Sequence, residues 1–300
     1  MKYYKTAGCY ALLYLVAYFW ANFICGFIFK SQNIAMIATY ALLLAFTIGF
    51  LMLCHDDIKK VLRLHRVRIS VLLLCVLLVV AVYPFISFIN SVSLLFVHDI
   101  TSTSVSRSVA SGPILSLVSI GVMPALVEEV IFRGVIFSKL RGARPVKGIL
   151  LTALFFGFAH LNPNQMSYTI VIGIVLGLIV EFTDSIFPAM LIHFIFNSSS
   201  VIMEFFLNRI GASATETASH SIAIHDCLRL FPFAVASLIL TLLLLYAIAH
   251  LSGRIGYIKT WFKKDIRRSL PKDHVTNASF YVVLFIFLLF TILMEVFVSL

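Results

Sequence analysis

The chain has 300 residues, of which 61% are hydrophobic and only 12% charged, with a formal net charge of +10. A water-soluble domain carries about a quarter charged residues, so this composition excludes one. The polar stretches between apolar segments reach about 27 residues at most, too short for a second fold, and the fold class expected is all-α: a polytopic transmembrane helical bundle.

Nine apolar segments follow one another at roughly the 20-residue length a bilayer requires. They are Ala7–Phe29, Ile34–Cys54, Ile69–Val97 (with a bend expected at Pro84), Ile114–Phe137, Gly148–His160, Tyr168–Phe182, Ile186–Phe206, Leu230–Leu251 and Ala278–Leu300. The first opens on Lys2 and Lys5, is too long for a signal-peptide core and shows no small-residue cleavage site, so it reads as an uncleaved span. The fifth is short, and eight crossings result if it is re-entrant. The organisation expected is one integral membrane domain in three parts: spans one to three over 1–113, a core of spans four to seven over 114–206, and spans eight and nine with a basic loop over 207–300.

Lysine and arginine alternate between the loops. One set holds two in 2–5, five in 59–68, four in 139–147 and seven in 254–272. The opposite set holds only Lys30, Arg107, Arg209 and Arg229. The positive-inside rule therefore predicts a multi-pass cell-membrane protein with a cytosolic N-terminus and, after nine spans, an extracytosolic C-terminus. It also accounts for the basic balance without a nucleic-acid partner. The loop 254–272, with Trp261 and Phe262, suits either an interfacial basic helix or a solvated loop. Of the five cysteines only Cys227 falls in a predicted loop, so neither a disulfide framework nor a spaced metal set emerges.

The fourth span carries ionisable groups at membrane depth: Glu128, Glu129 and Arg133. Such groups cost on the order of 2.5–3.5 kcal/mol each unless they pair, line a wet cavity or do chemistry. Glu129 and Arg133 are one turn apart and can pair, either for function or as a structural tie between helices. Glu128 points about 100° away round the helix and is left without that partner. A carboxyl group in a low-dielectric site suits a general base.

Two more spans carry polar pairs at one-turn spacing, Phe156 with His160 in the fifth and His193 with Asn197 in the seventh. Taken alone, a helix-end histidine is most often an interfacial residue, and a His–Asn pair serves equally well as interhelical glue. Pro163, just past His160, is expected where a helix stops. Depth is the independent check. At about 1.5 Å per residue, Glu128 lies ~14 Å above Phe137, His160 ~18 Å above Gly148, and His193 and Asn197 ~10 and ~16 Å above Ile186. One layer can thus hold a carboxylate, two imidazoles and an amide, which are the parts of a hydrolytic site.

Together the motifs EExxxR (Glu128–Arg133), FxxxH (Phe156–His160) and HxxxN (His193–Asn197) resemble the CPBP family of intramembrane proteases, also called the CAAX-protease, bacteriocin-processing or Abi family. The resemblance covers about Ser116–Ser200. It implies a glutamate-dependent endopeptidase in which Glu128 activates water and His160 helps to position or protonate it. His193 and Asn197 would stabilise the oxyanion, with Glu129 and Arg133 in support. The implied partners are the lipid bilayer and a peptide or membrane-protein substrate: a prenylated CAAX tail, a leader peptide or an anchored regulator. No cofactor is expected. Two histidines and a glutamate can in principle hold zinc, but the spacing is not HExxH and the histidines sit on different helices.

Two other function classes fit the same residues: a non-proteolytic immunity or regulatory binding protein, and a transporter that uses the buried acids as a proton relay. The second predicts an inverted repeat, which the sequence does not show. Among the remaining polar residues, Glu181 and Asp184 are expected to be solvated at a cytosolic turn, and Glu204 and Glu295 to reach the outer interface. His220, His225 and His274 are loop residues without an assigned role. Gly173 and Gly177 form a GxxxG in the sixth span and predict close internal helix packing.

Overall fold

The computed structural model describes residues 2–141, 145–211, 223–263 and 278–299, with side chains omitted at 2–7, 9, 279–281 and 299. The described residues form helices and connecting turns, with no strand among them. In chain order these are α1 (Lys2–Ile28), α2 (Gln32–Leu53), α3 (Ile58–Leu62), α4 (Ile69–Ser93), α5 (Ile100–Ser111), α6 (Pro113–Leu140), α7 (Pro145–Phe158), α8 (Pro163–Thr183), α9 (Phe187–Arg209), α10 (Ile224–Leu251), α11 (Ile255–Thr260) and α12 (Ala278–Ser299). Seven of them are long and apolar enough to cross a membrane, and two shorter apolar helices lie at Pro145–Phe158 and Val282–Val298. These nine correspond to the nine predicted spans, and the fold is the polytopic helical bundle expected.

Helix α6 lies between two apolar cores. One core joins α4, α7, α8, α9 and α10 through Cys75, Leu78, Ile149, Leu176, Ile192 and Ile248. The other joins α1, α2, α6, α7 and α12 through Leu15, Leu43, Val127, Phe132, Phe155 and Phe287. The GxxxG glycines sit on the α7–α8 seam. A Cβ on Gly173 would lie 3.0 Å from the Ala153 Cα, and one on Gly177 3.0 Å from the Ile149 side chain. The first neighbour is backbone and cannot swing aside, so Gly173→Val is expected to destabilise by roughly 1–3 kcal/mol. A lowered Tm in detergent, with Gly26→Val in open space as the neutral control, checks this.

Two prolines inside helices are bridged by neighbours. Helix α4 continues through Pro84, and Ser237 of α10 accepts from the Phe85 N–H at 3.1 Å while donating to the Ala81 carbonyl. In α6, Pro124 offers no N–H to the Ile120 carbonyl four residues back. The helix widens into π turns at Leu117–Val122 and Glu129–Ile136. Such departures are rare and concentrate at functional sites.

Several expectations are corrected. Pro163 does not end a helix; it starts α8, with Asn162 as N-cap accepting from the Asn164 and Gln165 N–H groups. A pyrrolidine at the first helical position loses nothing, because that N–H has no intrahelical acceptor. Cys227 lies buried in α10, not in a loop. Residues 100–111, read as loop, form α5 behind an Asp99 cap. Glu204 is buried and accepts from Ser106 at 2.6 Å, so it does not sit at an interface. His220, His274 and the loop cations Arg144, Lys264, Arg267, Arg268 and Lys272 lie outside the described residues, as do the other residues of 212–222.

The largest correction concerns Glu181. It is fully buried and bonds Arg63 at 2.9 Å, Arg141 at 2.9 Å and the Tyr257 hydroxyl at 2.9 Å. Arg254 donates to its backbone carbonyl at 3.3 Å. A carboxylate taken out of water costs several kcal/mol unless it is paired and fully hydrogen-bonded. Burial, and then the Glu181 charge, raises the Tyr257 phenol above its usual range, so it stays a donor. Asp184, half-exposed, sits next to this cluster 3.6 Å from Arg63. Trp261 stacks on Phe182 with ring centroids 6.2 Å apart instead of anchoring outward, whereas Phe262 is exposed.

Candidate active site

The ionisable groups of α6 face α2, α7 and α9. Arg133 donates to Glu129 Oε1 at 2.8 Å, and both are buried. The same oxygen lies 2.9 Å from His193 Nδ1. Arg133 also stacks its guanidinium 4.2 Å over the Phe156 ring. Glu129 therefore does more than pair with its own helix: it fixes the imidazole of α9 from behind. With Nδ1 held there, Nε2 is the nitrogen directed at Glu128, 3.8 Å from Oε2.

Glu128 is buried, and its two oxygens differ. Oε1 accepts a 2.7 Å hydrogen bond from Tyr40 of α2. Oε2 makes no hydrogen bond among the described residues. The expectation that Glu128 stands apart from the Glu129–Arg133 pair holds for that pair, but a partner reaches it from another helix. Tyr40 is the residue the sequence reading missed. It lies two turns beyond Asn33, on the same face of α2. Asn33 is itself clamped by the Ser108 carbonyl at 3.0 Å, Ser111 at 2.8 Å and Ser119 at 2.9 Å, which pins α2 against α5 and the start of α6.

The other candidates are arranged around this centre. Phe156 packs edge-on against His193, with centroids 5.7 Å apart, and against His160 at 4.9 Å. His160 Nδ1 lies 2.7 Å from the Phe156 carbonyl, leaving Nε2 for other partners. Asn197, one turn beyond His193, donates to the Ile120 carbonyl at 3.1 Å, the group that Pro124 leaves without an α-helical partner. The structure thus joins Glu128, Glu129, Arg133 and His193 directly, links His160 through one ring, and sets Asn197 at the edge of the layer. Among the described residues no three histidine, cysteine or carboxylate side chains form a metal-ligand set.

A hydrogen bond from a phenol to a carboxylate contributes about 1.5–3 kcal/mol where the acceptor is charged. If Tyr40 orients the working carboxylate, Tyr40→Phe lowers kcat roughly tenfold with KM unchanged. A purely structural role would instead lower Tm and leave kcat per folded molecule intact.

Residues 110–199 match the family model for type II CAAX prenyl endopeptidase, Rce1-like. The match contains all three polar motifs and ends two residues past Asn197. It supports the CPBP/CAAX intramembrane protease family, and that family is one of proteases. No curated protein and no solved structure matches the chain.

Proposed function

Taking the type II CAAX prenyl endopeptidase match over residues 110–199 as its premise, we propose that this chain is an intramembrane endopeptidase of the glutamic type. It acts on a peptide or membrane-anchored protein. The observation that carries this reading is the asymmetry of Glu128: one oxygen is engaged by Tyr40, and the other is buried, without a hydrogen bond among the described residues, and 3.8 Å from His193 Nε2. A carboxylate fixed in this way has one oxygen for one proton.

In the reaction, Glu128 Oε2 takes a proton from water while the water oxygen attacks the scissile carbonyl carbon. The carbonyl π electrons move to oxygen, and the tetrahedral oxyanion is met by N–H donors. Asn197 has two amide N–H bonds and spends one on Ile120, so the second is available. His193, with its Nδ1–H held by Glu129, is the other donor, through Nε2–H in its imidazolium form. Collapse breaks the C–N bond, and the amine leaves with the proton that Glu128 took from water, handed over directly or relayed through His160. Arg133 holds Glu129 in place through the 2.8 Å contact to Oε1. The N-terminus lies in the cytosol and the C-terminus outside, as the loop charges direct.

The test is a set of peptides incubated with the purified protein in liposomes and followed by mass spectrometry: a farnesylated CAAX peptide, its unprenylated form and a leader-type peptide. Cleavage of at least one, lost on replacing Glu128, supports the reading. Undiminished cleavage in both Glu128→Ala and His160→Ala rules it out.

A further inference from the structure

Beyond the carboxylate layer the bundle carries a hydrophilic cleft that is open on one side. A cavity of about 340 Å³ lies between α4, α5, α8 and α9. Its wall includes Asn90, Asp99, Thr101, Asn164, Tyr168 and Asn197. Asn197 therefore serves two places at once, as the edge of the catalytic layer and as part of the cavity wall.

The wall has a definite chemistry. Among the described residues Asp99 is the one formally charged residue lining it, and no lysine or arginine does. Asp99 already receives the Ser102 N–H at 3.0 Å and the Ser102 hydroxyl at 2.6 Å, but a carboxylate has about four acceptor sites and two stay open. Asn164 is buried at 1% exposure, and its Oδ1 has no hydrogen-bond partner among the described residues. Buried amide groups of that kind are nearly always paired. The open valences on Asp99 and Asn164 are acceptors, which suit N–H donors and a positive charge.

Position adds a direction. Helix α8 begins at this wall, with Asn164 and Tyr168, and ends at the Glu181 cluster of Arg63, Arg141 and Arg254. The seventeen steps from Asn164 to Glu181 span roughly 25 Å at helical rise. The cavity and the basic loops therefore sit at opposite ends of the bundle.

We propose that this cavity binds the hydrophilic flank of a peptide substrate, extended and neutral or cationic, which enters from the end of the bundle opposite the basic loops. The proposal rests on the protease reading for what happens past Asn197, though not for binding itself. A flank rich in backbone N–H groups and lysine satisfies Asp99 and Asn164. An acidic flank meets Asp99 and finds no cation to offset it.

Binding is measured on the full-length Glu128→Gln protein in detergent, so that turnover does not intervene. Two fluorescent peptides share an apolar segment and differ in the flank, one Gly-Lys-Ser-Lys and one Gly-Glu-Ser-Glu. The lysine flank is expected to bind about tenfold tighter by anisotropy. Adding Asp99→Asn removes most of that preference; asparagine also caps a helix, so α5 is kept. Ser200→Trp, which fills the cavity, abolishes binding of both. In sealed vesicles the lysine peptide binds from the face opposite the basic loops. Equal affinity of the two flanks, a preference that survives Asp99→Asn, or binding only from the basic-loop face overturns the proposal. Charge-dependent binding without cleavage by the unmodified protein would sink the protease reading and keep the cavity; cleavage without flank preference would do the reverse.

Discussion

Glu128→Gln is expected to reduce kcat by about 10²–10⁴, the range typical of losing a positioned general base. The substitution is chosen because it isolates the proton. Glutamine has nearly the shape of glutamate, and its carbonyl oxygen can still accept from Tyr40 at the 2.7 Å position. What disappears is the second oxygen's basicity, at the atom 3.8 Å from His193 Nε2. Stability should stay close to that of the unmodified protein, because the carboxylate it replaces is buried and only half hydrogen-bonded. The measurement is a kcat and Tm pair on the same preparation with whichever peptide the unmodified protein cleaves. Full activity in a folded Glu128→Gln protein would remove the carboxylate from the mechanism.

Arg133→Met is expected to be the most destabilising single change in the site. It strips the cation from Glu129 Oε1 and leaves a fully buried carboxylate facing only His193. Breaking a buried pair on one side costs about 3–5 kcal/mol. In a chain of this size that corresponds to a Tm lowered on the order of 10 °C. The stacking on Phe156 is lost as well, and with it part of the packing that His160 and His193 share. Glu129→Gln together with Arg133→Met should recover most of the stability, since no charge is then stranded. Activity should stay low in the double variant, because His193 has lost the anion behind Nδ1. Additive losses in this cycle would show that the two side chains do not act as a pair.

Much of the bundle is written in local patterns. Apolar runs of bilayer length yield helices whatever their tertiary neighbours, so all nine apolar segments are helical where expected, seven of them long enough to cross a membrane. The one-turn spacing of Glu129 and Arg133 is equally local, and their 2.8 Å contact follows from it. The misses are of a different kind. Tyr40 is one of eleven tyrosines in an apolar chain, and nothing near it in sequence marks it as the partner of a residue 88 positions away. Glu181 was read as solvated because its charge lies at a turn. Its partners arrive from positions 63, 141, 254 and 257, a convergence only the fold creates. The π turns of α6 and the polar cavity likewise depend on how helices meet. Pro163 is the exception, since Asn162 directly before it is a readable helix-start signal.

The ion cluster on Glu181 has a consequence for how this protein can have been assembled. Its cationic partners Arg63 and Arg254 come from either side of the 110–199 segment, and so does the phenol of Tyr257. Tyr40, which holds Glu128, is also outside it. The segment is therefore no portable cassette. Excised, it would leave Glu181 with Arg141 alone among its cations and Glu128 without the hydroxyl that holds its Oε1. Whatever scaffold receives these motifs must evolve its own clasp before it can inherit their chemistry.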